Sequence, residues 1–321
     1  MTDLDLLVVG DCNPDLVLAG DVTPRFASVE QLVDRADLVI GGSGSILACG
    51  AACLGLRVAM ASVVGDDVFG RFMLDALAER GVETTPIARS DSEPTGLSVI
   101  LARTDDRAIL TRLGTIDAVA AEHVPRSLLA RTRHVHVASY YLLHRLMPHV
   151  PALFAAAHEL GVTTSLDTNW DPSERWQLDD VLEHTDILLP NATEAMYIAR
   201  ATSLTSAAGH LRKRVGTLAV KLGSEGAVAY RGDDHAHVSA PPLVAVDAIG
   251  AGDSFGAGFL AGTLMGEPLE GALRLAVACG SLSTRAAGGT AAQPTLDEAR
   301  AVALGSVHRH DESPATDAHA R

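Results

Sequence analysis

The 321-residue chain is long enough for one large α/β domain or two smaller ones. Its 47% apolar residues can build a core, and 20% charged residues with 29 Gly and 14 Pro exclude a disordered, collagen-like or coiled-coil chain. A net charge of −15 and only 4% aromatic residues exclude a general binder of phosphate backbones or of single-stranded nucleic acid, although an anionic small molecule remains admissible at a helix N-terminus.

Met1-Thr2-Asp3-Leu4-Asp5 lacks the basic region of a secretion signal, so a cytoplasmic protein is expected. Leu4–Val9 reads as a buried strand ending at Gly10. Segments 15–40 and 96–113 read as short alternating strands with turns, with Leu97, Val99 and Leu101 set against Ser98 and Ala102. They predict a small antiparallel subdomain over one end of the main sheet. The uncharged run Leu38–Leu56 is interrupted by Gly41, Gly42 and Gly44. The remaining helix of about twelve residues suits a core helix and not a membrane span. Cys49 and Cys53 on it read as small buried side chains, and with Cys12 and Cys279 they form neither a disulfide framework nor a zinc pattern. Further strands are expected at Val58–Val64, Val135–Ala138, Thr163–Leu166, Ile187–Leu189, Leu218–Leu222 and around Leu243–Val246. Helices are expected at Phe69–Glu79, Leu146–Leu160, Ala192–Ala201 and Ser254–Leu264, and a disordered tail at 306–321. Alternating strands and helices predict a mostly parallel sheet covered on both faces, in a single domain over 1–305. Ligands of such sheets bind at the carboxyl ends of the strands.

Asp247-Ala248-Ile249-Gly250-Ala251-Gly252-Asp253-Ser254-Phe255-Gly256 is the most informative segment. Glycines 250 and 252 clear side chains from a helix start, where backbone N–H groups and the helix dipole favour an anion. A carboxylate at Asp253 would repel a phosphate unless it serves as a general base for an attacking hydroxyl. Close helix packing is the plainer explanation of the glycines. A Walker A loop is excluded, because the two lysines, Lys213 and Lys221, do not follow glycine. Gly252-Asp253-Ser254-Phe255-Gly256 also matches the Gly-x-Ser-x-Gly elbow of α/β hydrolases, with Asp297 and His308 in triad order. An elbow serine, however, follows its strand directly.

Together with the rest of the chain, this segment resembles the ribokinase, or PfkB, carbohydrate kinases. Asp247–Asp253 is similar to the family's Asp-Thr-x-Gly-Ala-Gly-Asp signature, with Ala248 in the threonine place. Gly41-Gly42-Ser43-Gly44 and then Val64-Gly65-Asp66-Asp67-Val68-Phe69-Gly70 resemble the N-terminal signature. Gly10–Asp15 looks like the first substrate loop, Asp167-Thr168-Asn169 like the Asp-x-Asn segment, Asn191-Ala192-Thr193-Glu194 like Asn-x-x-Glu, and Lys221–Gly226 like the nucleotide loop. The matches come in family order and cover about residues 5 to 300.

The resemblance implies a ribokinase-like three-layer α/β core with a small β-strand lid, and an ATP- and Mg²⁺-dependent kinase acting on a hydroxyl of a sugar or sugar derivative. Asp253 would be the base and the amides of Gly250, Ala251 and Gly252 the anion hole. Asn13, Asp15, Gly41, Gly42 and Ser43 would bind the acceptor, and Asn191, Lys221, Gly223, Gly226 and Ser283 the nucleotide. Glu194 and Asn191 would hold Mg²⁺ through water; on spacing alone they read as a helix capping box. Asn13-Pro14-Asp15 and the glycines of 223–226 likewise read as ordinary turns. Asp247 and the carbonyl of Ile249 would bind K⁺, and the lid would form a homodimer contact. Ile46 stands where ribokinases carry a sugar-contacting asparagine, which weakens the case for ribose. Arg107 and Arg112 on the lid read as solvated side chains or as anchors for an acidic or phosphorylated acceptor. A nucleoside kinase is the alternative of the same fold. A serine hydrolase at Ser254 and a silent sugar-binding protein are the alternatives of other classes.

Overall fold

The computed structural model describes residues 2–103 and 107–305; the tail 306–321, including His308, lies outside the described residues. In the first third of the chain, β1 (Leu4–Val9), β2 (Pro14–Ala19) and β3 (Arg35–Ile40) precede α1 (Ser43–Cys53) and β4 (Val58–Gly65). Then come α2 (Val68–Glu79), β5 (Val82–Glu83), β6 (Ile87–Ser90), β7 (Leu97–Ala102) and β8 (Arg107–Arg112). The middle contributes α3 (Arg126–Leu129), β9 (Thr132–Val137), α4 (Val150–Glu159), β10 (Thr163–Leu166), α5 (Asp179–Leu182), β11 (Ile187–Leu188), α6 (Ala192–Ile198) and α7 (Leu204–Leu211). The chain closes with β12 (Thr217–Lys221), β13 (Ala227–Arg231), β14 (Asp234–Val238), α8 (Ala251–Leu264), α9 (Leu269–Ser283) and α10 (Leu296–Gly305).

The main sheet runs β14-β13-β12-β11-β10-β9-β1-β4-β5, with β6 also paired to β4. It is parallel from β12 to β5, and an antiparallel β12-β13-β14 meander forms the other edge. Its central strands are apolar on both faces, as a doubly covered parallel sheet requires. Along β1, Leu6 and Val8 pack on the side of α1, α8 and α9, whereas Leu7 and Val9 pack on the side of α4 and α7. Layer, sheet, layer is the predicted three-layer core.

The uncharged run Leu38–Leu56 divides into the end of β3, the glycine turn and the eleven-residue α1. No helix among the described residues is long and apolar enough to cross a membrane. The strand expected around Leu243–Val246 does not form. Pro241 and Pro242 lead into it, the Leu243 amide turns back to the Pro241 carbonyl, and the segment crosses the surface with Val244 90% exposed.

A second sheet, β3-β2-β7-β8, joins the two segments predicted as a lid, with β2 and β7 parallel and both outer pairs antiparallel. Asp15, Val17, Ser98, Ile100 and Thr111 share its inner face, where Val17 and Ile100 pack on Ile249. The row Leu97, Val99 and Leu101 lies on the outer face with Leu16, Leu18, Leu38 and Leu110.

Close packing is the correct reading for part of the glycine-rich helix. A Cβ on Gly258 would lie 2.9 Å from the Cα of Ala276 and 2.9 Å from Cys279 Sγ, and one on Gly262 would lie 2.8 Å from the Cα of Ala272. Gly258→Val is expected to destabilise the protein by about 1–3 kcal/mol through overpacking of α8 on α9. Gly209→Ala in α7, where a Cβ meets nothing within 4 Å, is expected to stabilise by about 0.5–1 kcal/mol. Denaturant unfolding of the two variants checks both signs.

Candidate active site

The predicted site residues converge at the carboxyl edge of the parallel sheet. Asp11, Asn13 and Asp15 follow β1, Asp167 and Asn169 follow β10, Asn191 follows β11, and Lys221 closes β12. Gly41–Ser43 opens α1 and Gly250–Asp253 opens α8.

At the acceptor end, the cap of α1 comes from another segment. Gly42 (φ 74°) has no side chain to cap with, and the Asp11 carboxylate accepts the amides of Ser43 at 3.0 Å and Gly44 at 2.9 Å. Burial pushes the Asp11 carboxyl up. Burial, with the charge of Asp11, pushes Asp15 up to about 7. A Cβ on Gly41 would overlap the Asp15 carboxylate, so any side chain there would displace it. Asn13 donates from Nδ2 to Asp15 Oδ1 at 3.4 Å and to Ser98 Oγ at 3.4 Å, and Ser98 Oγ pairs with Thr111 Oγ1 at 3.0 Å. The buried Oδ1 of Asn13 has no partner. An unpaired buried acceptor within a set of hydroxyls and carboxylates suits a ligand that donates hydroxyl hydrogens. Asn13-Pro14-Asp15 is therefore a built cluster and not just a turn.

Arg112 departs from its predicted place. Ser98 and Thr111 are register partners on the inner face, so Arg112, one residue further, points to the outer face opposite Leu97. Arg107 has the inner-face parity but sits at the far end of β8, opposite Ala102. Ile46 does not open into the acceptor end. It is 3% exposed, and a Cβ on Gly250 would come within 2.9 Å of it, so it backs the glycine turn.

At the phosphoryl end, Gly250 (φ 69°) forms the N-cap of α8 in the left-handed region, and a Cβ there would meet the Cα of Gly289 at 2.7 Å. The amide of Ala251 is engaged, donating to the Ala248 carbonyl at 3.3 Å. The amides of Gly252 and Asp253 find no acceptor among the described residues. Asp253 lies in the first turn of α8 and is 9% exposed. Burial, then the charges of Asp167 and Asp11, push its carboxyl up to about 8, against the opposing effects of Lys221 and a Ser43 hydrogen bond. Ser43 accepts from Asn169 Nδ2 at 2.6 Å, so its hydroxyl belongs to the base's support as much as to an acceptor contact. Asp247 accepts the amides of Ile249 and Gly288, both at 2.9 Å, which clasps the loop to the 288 turn.

Asn191 and Glu194 do form a capping box: Asn191 Oδ1 accepts the Glu194 amide at 2.9 Å, and Glu194 Oε2 accepts the Asn191 amide at 2.8 Å. The second carboxylate oxygen of Glu194, Oε1, is outside the box and fits a cation that keeps most of its water. No cluster of three or more His, Cys, Asp or Glu that could hold a metal occurs among the described residues. A cavity of about 510 Å³ opens between the Lys221–Gly226 turn and α8, lined also by Ser281 and Thr284. Its size suits a nucleotide. Gly223 (φ 62°) and Gly226 (φ 98°) line it and at the same time make the turn. Ser283, predicted to face it, is 1% exposed and donates to the Gly280 carbonyl of its own helix. A larger cavity, about 750 Å³, adjoins Tyr140, Tyr141 and the Asp171–Asp180 loop, away from every predicted site residue.

Three groups were given no role from sequence: Asp11, the Ser98–Thr111 pair, and Asp167, which pairs with Lys221, a residue assigned to the nucleotide. The Asp-x-Asn segment was the only signal for the last. His134 and His136 are buried on either side of the Ser165 hydroxyl, held neutral by burial at about 3, and belong to the sheet. Of the hydrolase constellation, Ser254 and Asp297 fall within the described residues. Ser254 is buried in the first turns of α8, accepting from Gln293 Nε2 at 3.1 Å, and Asp297 lies on the exposed side of α10.

A three-layer α/β fold with a free-amide helix start, a buried carboxylate beside it and a nucleotide-sized cavity behind it defines a phosphotransferase with an alcohol group as acceptor. Comparison with known proteins agrees: residues 3–296 match the model of the pfkB family carbohydrate kinases, and the chain belongs to that family. A ribokinase of Haemophilus influenzae is 27% identical over 303 residues, covering 91% of this chain and 96% of the relative. A ribokinase II candidate from E. coli, solved with ATP and Mg²⁺, superposes with a TM-score of 0.85 at 24% identity, over 94% of this chain and 99% of the other. Adenosine kinase from Sinorhizobium meliloti superposes with a TM-score of 0.82 at 23% identity, over 95% of this chain and 100% of the other.

Proposed function

We propose that the protein transfers the γ-phosphoryl group of Mg·ATP to a hydroxyl of a neutral sugar or sugar derivative, with Asp253 as general base. The observation that carries this reading is Asp253 itself, a buried carboxylate one residue from the free amide of Gly252 at the start of α8. The acceptor lies between Asn13, Asp15, Gly41 and Gly42 and the lid hydroxyls of Ser98 and Thr111. ATP occupies the 510 Å³ cavity, and Mg²⁺ is held through water by Glu194 and Asn191, neutralising phosphate charge when bound. The Gly250–Asp253 turn stabilises charge on the phosphoryl group in transit, and the lid keeps water out. With Arg112 on the outer face, the acceptor end is built from carboxylates, an amide and hydroxyls. That favours a neutral polyol over a sugar acid or sugar phosphate, and a sugar over a nucleoside.

Asp253→Asn is expected to lower kcat about 100-fold or more, read as ADP release across a panel of neutral sugars, sugar acids, sugar phosphates and nucleosides. In the wild type, kcat/KM should rise with pH and level off above about 8, because the free base must lose its proton. The same raised pKa means that the folded state holds this proton where the unfolded chain has released it. Asp253 therefore costs stability as pH climbs from the ordinary 3.8 through about 8, and the Asn variant should be the more stable protein at pH 8. Unchanged turnover in the variant removes Asp253 as the base.

A monovalent cation at Asp247 and the Ile249 carbonyl belongs to the same reading. Replacing Na⁺ by K⁺ at constant ionic strength should raise kcat severalfold, and Asp247→Ala should abolish that difference while Na⁺-supported turnover persists.

The apolar outer lid face, with Leu38 40% and Leu110 61% exposed, pairs with the same face of a second copy. Sedimentation should give a dimer for the wild type and a monomer for Leu110→Glu; a monomeric wild type rules the contact out.

A further inference from the structure

The Lys221 side chain is 14% exposed and that of Asp167 is 2% exposed, and Lys221 Nζ donates to Asp167 Oδ2 at 2.6 Å. Burial alone would lower the ammonium's pKa, but Asp167, Glu194 and Asp253 outweigh it, so the group stays charged. A buried ion pair is poor evidence of stabilisation, since an apolar replacement often does as well. A second observation indicates what it is for. Gly252 has no need of a left-handed backbone, and the atoms nearest to a Cβ built on it are all from Lys221: Cδ and Nζ at 3.6 Å and Cε at 4.0 Å. Those are ordinary contacts, so the folded chain would accept alanine there. Gly252 and Lys221 both line the 510 Å³ cavity, so a group bound at that wall meets the free Gly252 amide and the Lys221 ammonium together.

We propose that a phosphoryl group in transit lies against this wall of the cavity, that Lys221 is a side-chain cation of the anion hole, and that Asp167 is the positioning residue that aims it. This rests on the phosphotransfer reading above. A helix start supplies roughly half a positive charge. An ammonium has three N–H donors, one of which Asp167 occupies, leaving two for equatorial phosphoryl oxygens. The acceptor oxygen forms its bond to Pγ, the electron pair of the Pγ–O bond leaves with ADP, and the hydroxyl proton passes to Asp253. Lys221 neither gains nor loses a proton.

The test compares binding of Mg·ADP alone with Mg·ADP plus fluoroaluminate, which imitates the phosphoryl group in transit, by calorimetry. Wild type is expected to bind the fluoroaluminate complex at least about 100-fold tighter than Mg·ADP. Lys221→Met should lose at least tenfold of that gain while its affinity for Mg·ADP changes less than about threefold, and Lys221→Arg should recover part of it. Gly252→Ala, which leaves the ion pair intact, should lose the gain as well; it also serves if Lys221→Met fails to fold. Full retention of the gain in Lys221→Met and Gly252→Ala overturns the proposal. Equal weakening of Mg·ADP in Lys221→Met, with the gain intact, makes Lys221 a ground-state nucleotide contact and also overturns it. Absence of any gain in the wild type overturns the phosphotransfer reading itself.

Discussion

Asp11, Asp15, Asp167, Glu194 and Asp253 are all buried where the carboxyl edge of the main sheet meets the second sheet, and one largely buried ammonium, Lys221, stands among them. Charges removed from water repel each other far more strongly than on a surface. The fold keeps them there by giving each a different partner: the N-terminus of α1 for Asp11, Lys221 for Asp167, and a cap for Glu194. Burial pushes Asp15 up to about 7 and Asp253 up to about 8. These two are also the carboxylates placed where an acceptor's hydroxyls would lie. These raised carboxyls thus coincide with the chemistry, as is common at functional sites.

The backbone shows why that coincidence exists. Parallel strands end together, so loops far apart in sequence deliver their side chains to one edge. Helices starting there offer amides, and two of the starts are glycine turns at positive φ, Gly42 and Gly250. At Gly42 the amides are satisfied within the protein by Asp11; at Gly252 they are not. The first helix start has its amides capped within the protein, and the second keeps its amides free.

Most of this organisation was legible in the sequence, because it depends on local periodicity and glycine punctuation. The strands Leu4–Val9 and Thr163–Leu166 were legible from their apolar runs, and the helix start at 250 from its glycines. What failed depended on facts that spacing cannot carry. Arg112 faces outward because of one residue of strand parity, fixed by pairing with β7. Ser283 turns inward because of helix phase against α8, while its neighbours Ser281 and Thr284 meet the cavity. Leu243–Val246 is as β-prone as any strand but follows two prolines. The Lys221–Asp167 pair spans 54 residues, and only the sheet order brings it together.

Ile249 has one further consequence. It belongs to the glycine loop, yet its side chain completes the small apolar cluster with Val17 and Ile100 that seats the lid on the core. Lid and phosphoryl loop are therefore not independent parts: lifting the lid withdraws the packing that steadies the loop from above. Such a linkage acts as an interlock. On the proposed reading, a nucleotide bound beneath a raised lid would meet an unfinished anion hole, and the loop would be completed only as the acceptor space is shut to solvent, so that the movement that readies ATP for transfer would also protect it from water.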